Sequence, residues 1–433
     1  MIPSYEESVR QLFGQWDAPS SFSRNITFQV TEDCNLKCTY CYQTNKRKTM
    51  MTSEVGRAIV DYLFQLYDED NPDAFINQQT QVIILDFIGG EPFLNIELIT
   101  EIVDYFWSQA ILRRSIWAET FRISMATNGL LYFEPKVQAF IKKYINHLSL
   151  SISIDGDKNV HDACRLDHAG NGSFDRAVAA LHDFNSRYPW NKSTKATIAP
   201  ENLDQIVDII TFFTKEGFTQ INANTVYEAD WTIDEAKKFY ICLKQIADFI
   251  LEQKNKELSI SLFDEVFFQP MDESDNKNWC GGTGAMLAFD PRGQAYPCIR
   301  YMDTSLNGVV EPLVVGDCFK GLYQNDRQIE IRDMLDSITR RSQSTDECFY
   351  CPIAHGCAWC SAECYQRFGT PNKRNTSSCW MHRARSLANV YYWNKKYHQE
   401  NVPKVFVRHL PDDLALQIIS EDELKMLDDL IKR

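Results

Sequence analysis

The sequence predicts an α/β protein, with six parallel β/α units forming a partial barrel and a small cysteine-rich α+β domain following it. Three observations carry that expectation. Apolar, β-branched runs alternate with amphipathic segments of roughly 8–16 residues across residues 25–230. The main polar and glycine-rich signals fall at the C-terminal ends of those runs, where parallel α/β folds place their chemistry. The cysteines crowd into two places, Cys34 to Cys41 and Cys280 to Cys379.

Residues 1–24 carry one short amphipathic pattern, around Val9 and Phe13, and read as a lead-in. The first strand, residues 25–30 (N-I-T-F-Q-V), alternates and runs straight into the first cysteines. A Thr-Ser-Glu start signal opens a helix over 52–67. Residues 81–88 (Q-V-I-I-L-D-F-I) form a continuous apolar run, typical of a strand buried on both faces, and end at Gly89-Gly90-Glu91-Pro92. Helices over 97–106, 137–144, 174–185 and 203–215 alternate with strands at 121–127, 147–154, 194–199 and 219–226. The third strand ends at Asn128-Gly129 and the fourth at Asp155-Gly156. Parallel strands joined this way require right-handed crossovers.

A long helix over 232–256 bridges to the second domain, making 231–279 a linker region. Residues 280–380 hold short strands at 286–290 and 294–297, around a Pro291-Arg292-Gly293 turn. Residues 381–433 give a helix and a tail ending in a short amphipathic helix.

A 433-residue chain that is 44% hydrophobic can bury a substantial core in two or three domains. Its formal charge of −14 disfavours a nucleic-acid backbone as partner and suits peptides carrying basic residues. A run of about 18 apolar residues would be needed to cross a membrane, and none occurs. The N-terminus lacks the basic and apolar regions of a secretion signal, so the expected location is the cytoplasm. In a reducing compartment clustered thiols point to metal rather than disulfides. Cys164 and Cys242 stand apart and read as ordinary core or surface thiols.

Residues 31–42 read T-E-D-C-N-L-K-C-T-Y-C-Y, placing Cys34, Cys38 and Cys41 in a C-x3-C-x2-C spacing. Three thiolates can hold three irons of a 4Fe–4S cube and leave the fourth iron open to a small molecule. A three-cysteine zinc loop, or thiols that merely lie close together, are the plainer alternatives.

Three motifs in order, each on a strand end, give the first domain its resemblance to radical S-adenosylmethionine (SAM) enzymes. They are C-N-L-K-C-T-Y-C at 34–41, G-G-E-P at 89–92, and S-I-D-G-x8-R from Ser153 to Arg165. The resemblance implies that SAM chelates the open iron through its amino and carboxylate groups. Gly89 and Gly90 would let backbone carbonyls approach the amino group without an intervening Cβ. Glu91 would add an acceptor, and Ser153 and Arg165 would meet the carboxylate or ribose. Tyr40 would face the adenine, with Asn128 a further candidate on the same rim.

The second domain resembles the SPASM extension of these enzymes, which binds auxiliary 4Fe–4S clusters. Cys280, then Gly293-x4-Cys298, then Cys348-x2-Cys351-x5-Cys357, then Cys379 follow its pattern. The pattern's next cysteine falls on Ser361, whereas this chain has Cys360 and Cys364. The resemblance therefore gives one cluster Cys348, Cys351, Cys357 and Cys379. The other takes Cys280, Cys298 and one of Cys360 or Cys364, its fourth ligand being the remaining thiol, Cys318, or nothing from the protein.

The segments 356–361 (G-C-A-W-C-S), 296–301 (Y-P-C-I-R-Y) and 385–394 resemble radical SAM peptide maturases, including those acting on C-x-x-x repeat precursors of the ranthipeptide type. The expected activity is reductive SAM cleavage followed by formation of a thioether or related crosslink. The expected partners are a cysteine-containing precursor peptide and a reductant such as flavodoxin or ferredoxin. With 33 residues before Cys34, an N-terminal winged-helix leader-binding domain is not expected. An anaerobic sulfatase maturase shares the plan, but its general-base aspartate would fall on Ile299 here, and an alkyl chain accepts no proton. A non-catalytic iron–sulfur scaffold is the third reading, which the SAM-site motifs disfavour.

Overall fold

The computed structural model describes residues 23–191, 194–226, 228–253, 258–278 and 280–432. All but the last two residues of the expected 1–24 lead-in, including the pattern around Val9 and Phe13, lie outside the described residues. So do the final residues of the helix expected over 232–256.

The architecture is mixed α/β, as the alternation predicts. β1 (Ser23–Thr31) pairs in parallel with β2 (Val82–Gly89), with Phe28 opposite Phe87 and their rings 5.2 Å apart. β3 (Arg122–Thr127) and β4 (Leu148–Ile152) continue the parallel ladder. The crossovers are α1 (Ser53–Glu69), α2 (Ile96–Leu112) and α3 (Pro135–Tyr144). Thr52 caps α1 by accepting from the amide of Val55 at 3.3 Å, worth about 1 kcal/mol. After β4 come α4 (Lys158–Cys164) and α5 (Phe174–Arg187).

The expected six-stranded ladder is interrupted after β4. β5 (Ala196–Ile198) pairs with β7 (Ala223–Thr225), not with β4. The Asn191 side chain donates to the Leu148 carbonyl, so part of the β4 edge is satisfied by an amide side chain instead of a strand. α6 (Ile206–Lys215) precedes a final strand that is split at Asn222. Its first half, β6 (Gln220–Ile221), pairs with β8 (Ser259–Ile260), and its second half is β7.

α7 (Ile233–Glu252) starts in a capping box, where Thr232 and Glu235 each accept from the other's amide. The cysteine-rich part does not stand apart from the barrel. β9 (Met286–Phe289) pairs in parallel with the free edge of β1, Asn25 opposite Met286 through Phe28 opposite Phe289. β10 (Gln294–Tyr296), β11 (Gly316–Asp317) and β12 (Gly321–Leu322) add antiparallel strands. The result is one eight-stranded sheet in the order β12-β11-β10-β9-β1-β2-β3-β4.

The remaining helices are α8 (Asp326–Asp336), α9 (Ser361–Phe368), α10 (Cys379–Glu400) and α11 (Glu421–Lys432), one-turn helices aside. α10 lies along α7, where Tyr391 and Lys395 both reach Asp248. The terminal helix returns to the body as well: Tyr240 and Lys244 both donate to Glu423.

The core under β1–β4 is rich in aromatic rings. Trp117 is fully buried, its ring 5.3 Å from Phe64 and 4.6 Å from Tyr67, and its indole N–H donates to the Thr80 carbonyl at 2.6 Å. Above this core the cysteine loop docks on the end of β2. The Gly90 amide donates to Thr31 and the Glu91 amide to Asp33. A Cβ on Gly90 would lie 2.2 Å from the Asp33 carbonyl oxygen and 2.8 Å from Cys34 Cβ. One on Gly89 would lie 2.7 Å from the Thr31 carbonyl oxygen. Both glycines are thus needed for the loop to close on the strand end, a reason independent of any ligand.

Two outcomes follow from this packing. Trp117→Ala leaves a cavity and an unpaired carbonyl and should cost about 3–5 kcal/mol in urea unfolding, with Trp117→Phe recovering most of it. Gly90→Ala should release the loop, seen as faster proteolysis within residues 32–50 and fewer irons retained per chain. Unchanged cleavage and iron content would show that the loop tolerates the clash.

Candidate active site

The three thiols of the opening motif sit on one loop that leaves β1. That loop is held by Glu32 N donating to Thr49 O, and by Lys37 N and Thr39 N donating to Leu166 O and Cys164 O. Burial pushes the Cys34 thiol up to about 11 and raises Cys38 as well. Lys46, on the returning limb of the loop, belongs to none of the sequence motifs. Burial opposes its charge, but the sulfurs of Cys41 and Cys34 outweigh that and raise its pKa. The Leu36 amide donates to Cys34 Sγ at 3.4 Å, with Asn128 Nδ2 at 4.0 Å from the same sulfur.

Three thiols, Cys34 buried and Cys38 and Cys41 half-buried, with N–H donors at Cys34 and a lysine beside them, fit a cationic group that takes thiolates. Among the described residues, no three His, Cys, Asp or Glu side chains converge on a point that would hold one metal ion. A cube differs in this respect, because each thiolate meets its own iron.

Glu91 is almost fully buried and its carboxylate is already engaged. It accepts from Phe93 N at 3.1 Å, Thr127 Oγ1 at 2.7 Å and Asn128 N at 2.8 Å, joining the ends of β2 and β3. Burial still raises its pKa. Asn128 Nδ2 donates to Asn35 at 2.6 Å, which ties the β3 end to the cysteine loop.

On the next strand end, Ser153 N donates to the Thr127 carbonyl. Arg165 binds Asp155 through Nε at 2.8 Å and Nη2 at 3.3 Å, a forked pair with both side chains mostly buried. Burial works against the Arg165 charge, and Asp155 more than offsets it. The same Asp155 accepts from the Tyr40 hydroxyl, and Arg165 lies 5.5 Å from the centre of the Tyr40 ring. Tyr40 thus comes to the rim with 42% of its surface open. His161 braces this corner: it is fully buried, burial lowers its pKa to about 4, and it contacts Ser173 Oγ and the Asp155 amide. Asp155 was passed over in the sequence because a strand-end Asp-Gly reads as a turn.

Below the rim the sheet face is polar. Asp86 accepts from Thr27 Oγ1 at 3.2 Å, and burial raises its pKa. It was hidden in the run 81–88, where a single carboxylate between apolar neighbours was its only signal. Tyr42 keeps 43% of its surface open and lies within the electrostatic reach of Arg300, Cys41, Asp86 and Cys298. The Arg300 guanidinium lies 4.9 Å from the centre of its ring and pairs with Glu228 at 2.7 Å.

The cysteine-rich part supplies two further thiol groups. Cys280 and Cys298 flank the β9–β10 hairpin, and a Cβ on Gly282 would lie 3.6 Å from one sulfur and 3.1 Å from the other. Burial raises the Cys298 thiol, with Cys360 and then Cys280 next among the causes. Cys360 caps α9 through its sulfur, and Cys364 lies one turn on, fully buried beside Glu363. Cys318 is elsewhere, packed against Gly293 with Asp317 and Asp290 near it. Cys348, Cys351, Cys357 and Cys379 form the second group around Arg374, which donates to Cys348 Sγ at 3.1 Å and lies 3.7 Å from the Trp359 ring centre. The isolated Cys242 is a core thiol of α7, donating to Leu203 O.

Residues 28–213 match the Radical SAM superfamily. A Methanocaldococcus jannaschii protein, MJ0907, is 34% identical over 31% of this chain, which spans 39% of that relative's length. A cysteine-type anaerobic sulfatase-maturating enzyme of Clostridium novyi is 23% identical over 76% of this chain and 86% of its own. The crystal structure of native anSMEcpe with bound AdoMet and Cp18Cys peptide superposes with a TM-score of 0.59 at 16% identity. That match covers 87% of this chain and 98% of the other. The family implies a 4Fe–4S cluster and SAM, and no helix among the described residues is long and apolar enough to cross a membrane. Running from inside β1 into α6, the superfamily match coincides with the strands that carry the thiol loop and its rim, and this part of the chain is a radical SAM domain.

Proposed function

We propose that the protein is a peptide maturase that joins a cysteine sulfur of a ribosomally made precursor to a carbon of the same peptide. The observation that carries this reading is the pairing of β9 with β1, which brings Cys280, Cys298 and Cys360 to the polar face that also holds Asp86 and Tyr42. A peptide drawn onto that face meets the SAM rim on one side and thiols on the other. The cofactors, once bound, supply a 5′-deoxyadenosyl radical able to abstract a carbon-bound hydrogen.

The chain's residues position and protect. In this proposal Cys34, Cys38 and Cys41 hold the SAM-binding cluster. Tyr40, Gly89, Gly90, Ser153 and Arg165 bound the space for SAM, while Glu91 and Asn128 fix the rim through the bonds described above. Cys280, Cys298, Cys360 and Cys364 are assigned to one auxiliary cluster, and Cys348, Cys351, Cys357 and Cys379 to the other. Cys318 is left out of the first set on the strength of its place beside Gly293. An Asp86 carboxylate oxygen is the proton acceptor for the substrate thiol, since burial makes it more basic than a free aspartate. The electron donor is of the flavodoxin or ferredoxin kind.

Crosslinking removes two hydrogens and keeps the sulfur. The second reading, a sulfatase maturase, is favoured by the reach of the Clostridium novyi match and differs in product, because formylglycine made from cysteine loses the sulfur. Ile299 stands where that chemistry expects its base, which ranks it second. Mass spectrometry of a small cysteine-rich peptide encoded beside this chain, after co-expression, separates the two.

Anaerobically reconstituted protein should be brown and carry about twelve irons, as three cubes would. A content near four would refute the two auxiliary sets. Cys34→Ala, Cys38→Ala and Cys41→Ala should each abolish release of 5′-deoxyadenosine after reduction. Cys348→Ala or Cys379→Ala should lose modified peptide while retaining some release. Normal SAM cleavage by the first three variants would sink the proposal.

A further inference from the structure

A cavity of about 510 Å³ opens between the returning limb of the cysteine loop, β10 and the 302–314 segment. Its lining combines two chemistries. Four carboxylates (Glu32, Asp290, Asp303 and Glu311) face two guanidinium groups (Arg47 and Arg292), leaving the cavity acidic. Tyr296, Met302, Pro312 and Val314 supply an apolar wall.

The carboxylates alone would be an ordinary solvated cluster. Two buried acceptors make the cavity different. Glu32 is 3% exposed, and its Oε2 has no hydrogen-bond partner among the described residues, while its Oε1 stands 3.7 Å from Arg292. Gln29 is 1% exposed; its Nε2 donates to Thr304, and its Oε1 is unpartnered among the described residues. Both side chains line the cavity. An unsatisfied buried acceptor costs about 1–3 kcal/mol, more when charged, so two of them facing one space call for a donor. Two of the other carboxylates are better served: Asp290 Oδ1 takes the amides of Arg292 and Gln294, and Asp303 holds Arg47 and Asn45.

We infer that this cavity receives a lysine or arginine side chain of the peptide substrate, with the charged head at Glu32 and Gln29 and the aliphatic stem along Tyr296 and Met302. Long cationic side chains bury their stems on apolar surface and keep the head on polar partners. Ammonium and guanidinium groups donate without accepting, which matches a pair of orphan acceptors. Position supports the assignment as well. Gln29 is two residues from Thr27, the partner of Asp86, and so projects from the same face of β1. A residue anchored here holds its neighbours in the chain beside the polar face assigned to the reaction. The inference rests on the maturase reading for its occupant and on the cavity alone for its chemistry.

The test uses the full-length, anaerobically reconstituted holoenzyme and calorimetric titration. The probes are Nα-acetyl-lysine methylamide and Nα-acetyl-arginine methylamide, with the norleucine analogue as the uncharged control and Mn²⁺ alone as a competing class. The basic probes should bind at least about tenfold more tightly than norleucine. Glu32→Gln should remove about tenfold of that preference. Glu311→Lys, at the exposed rim where folding is not at stake, should reduce it in the same direction. Equal binding of charged and neutral probes, unchanged preference in both variants, or binding of Mn²⁺ without the amines would each overturn the inference. Mass spectrometry of the co-expressed peptide for loss of two hydrogens tests the maturase reading separately, so the two can fail independently.

Discussion

β1 is hydrogen-bonded on both edges, and most of what matters in this protein depends on that. Its register with β2 sets Thr31 against Gly89, and this contact lets the cysteine loop fold down on the Gly-Gly turn. Its register with β9 brings a hairpin from the cysteine-rich region into the same sheet. Backbone bonds on both sides leave β1 little freedom to slide, because a one-residue slip would turn every buried side chain to the wrong face. Ile26, Phe28 and Val30 go into the core, and Thr27 and Gln29 face the opposite way.

Three largely buried arginines are each met by anionic or thiol acceptors. Arg165 forks onto Asp155, Arg300 joins Glu228 under the Tyr42 ring, and Arg374 stands among four thiols. Of these only Arg165–Asp155 is a buried ion pair, and breaking one by removing a partner costs about 3–5 kcal/mol, so it holds its corner of the rim in one arrangement. Lys46 plays the equivalent part beside Cys34 and Cys41. The thiol groups and their cations come as sets, the first on a single loop and the other two built from several chain segments.

Much of the barrel half could be read from the sequence because its signals are local. Strand period, helix period and a glycine at a strand end are written within a dozen residues, and β1 to β4 fall where those signals place them. The grouping of Cys348, Cys351, Cys357 and Cys379 comes from the resemblance to the SPASM pattern, and these four side chains lie around Arg374. Other features are properties of distant pairs. Nothing in residues 286–289 says which edge their strand will join, and the split at Asn222 arises because two short strands compete for one segment. Asn191 ends the ladder with a side chain, which no periodicity records. Gly89 and Gly90 stood out in the sequence, but the approach they permit is first of all that of Thr31, Asp33 and Cys34. Asp86 and Asp155 were masked by their settings, one in an apolar run and the other in a turn signal.

The parallel pairing of β1 with β9 has a consequence for synthesis. β1 emerges from the ribosome more than 250 residues ahead of β9, and its second edge has no partner until residues 286–289 have been made. Domains fold as units from the N-terminal end during synthesis, and an open strand edge is a template for wrong pairing. The barrel half therefore matures with one side uncovered, and the loop of Cys34, Cys38 and Cys41 gains its contact with Thr304 only when the later segment arrives. During that interval the thiol loop is reached from a side that the later segment covers in the finished molecule.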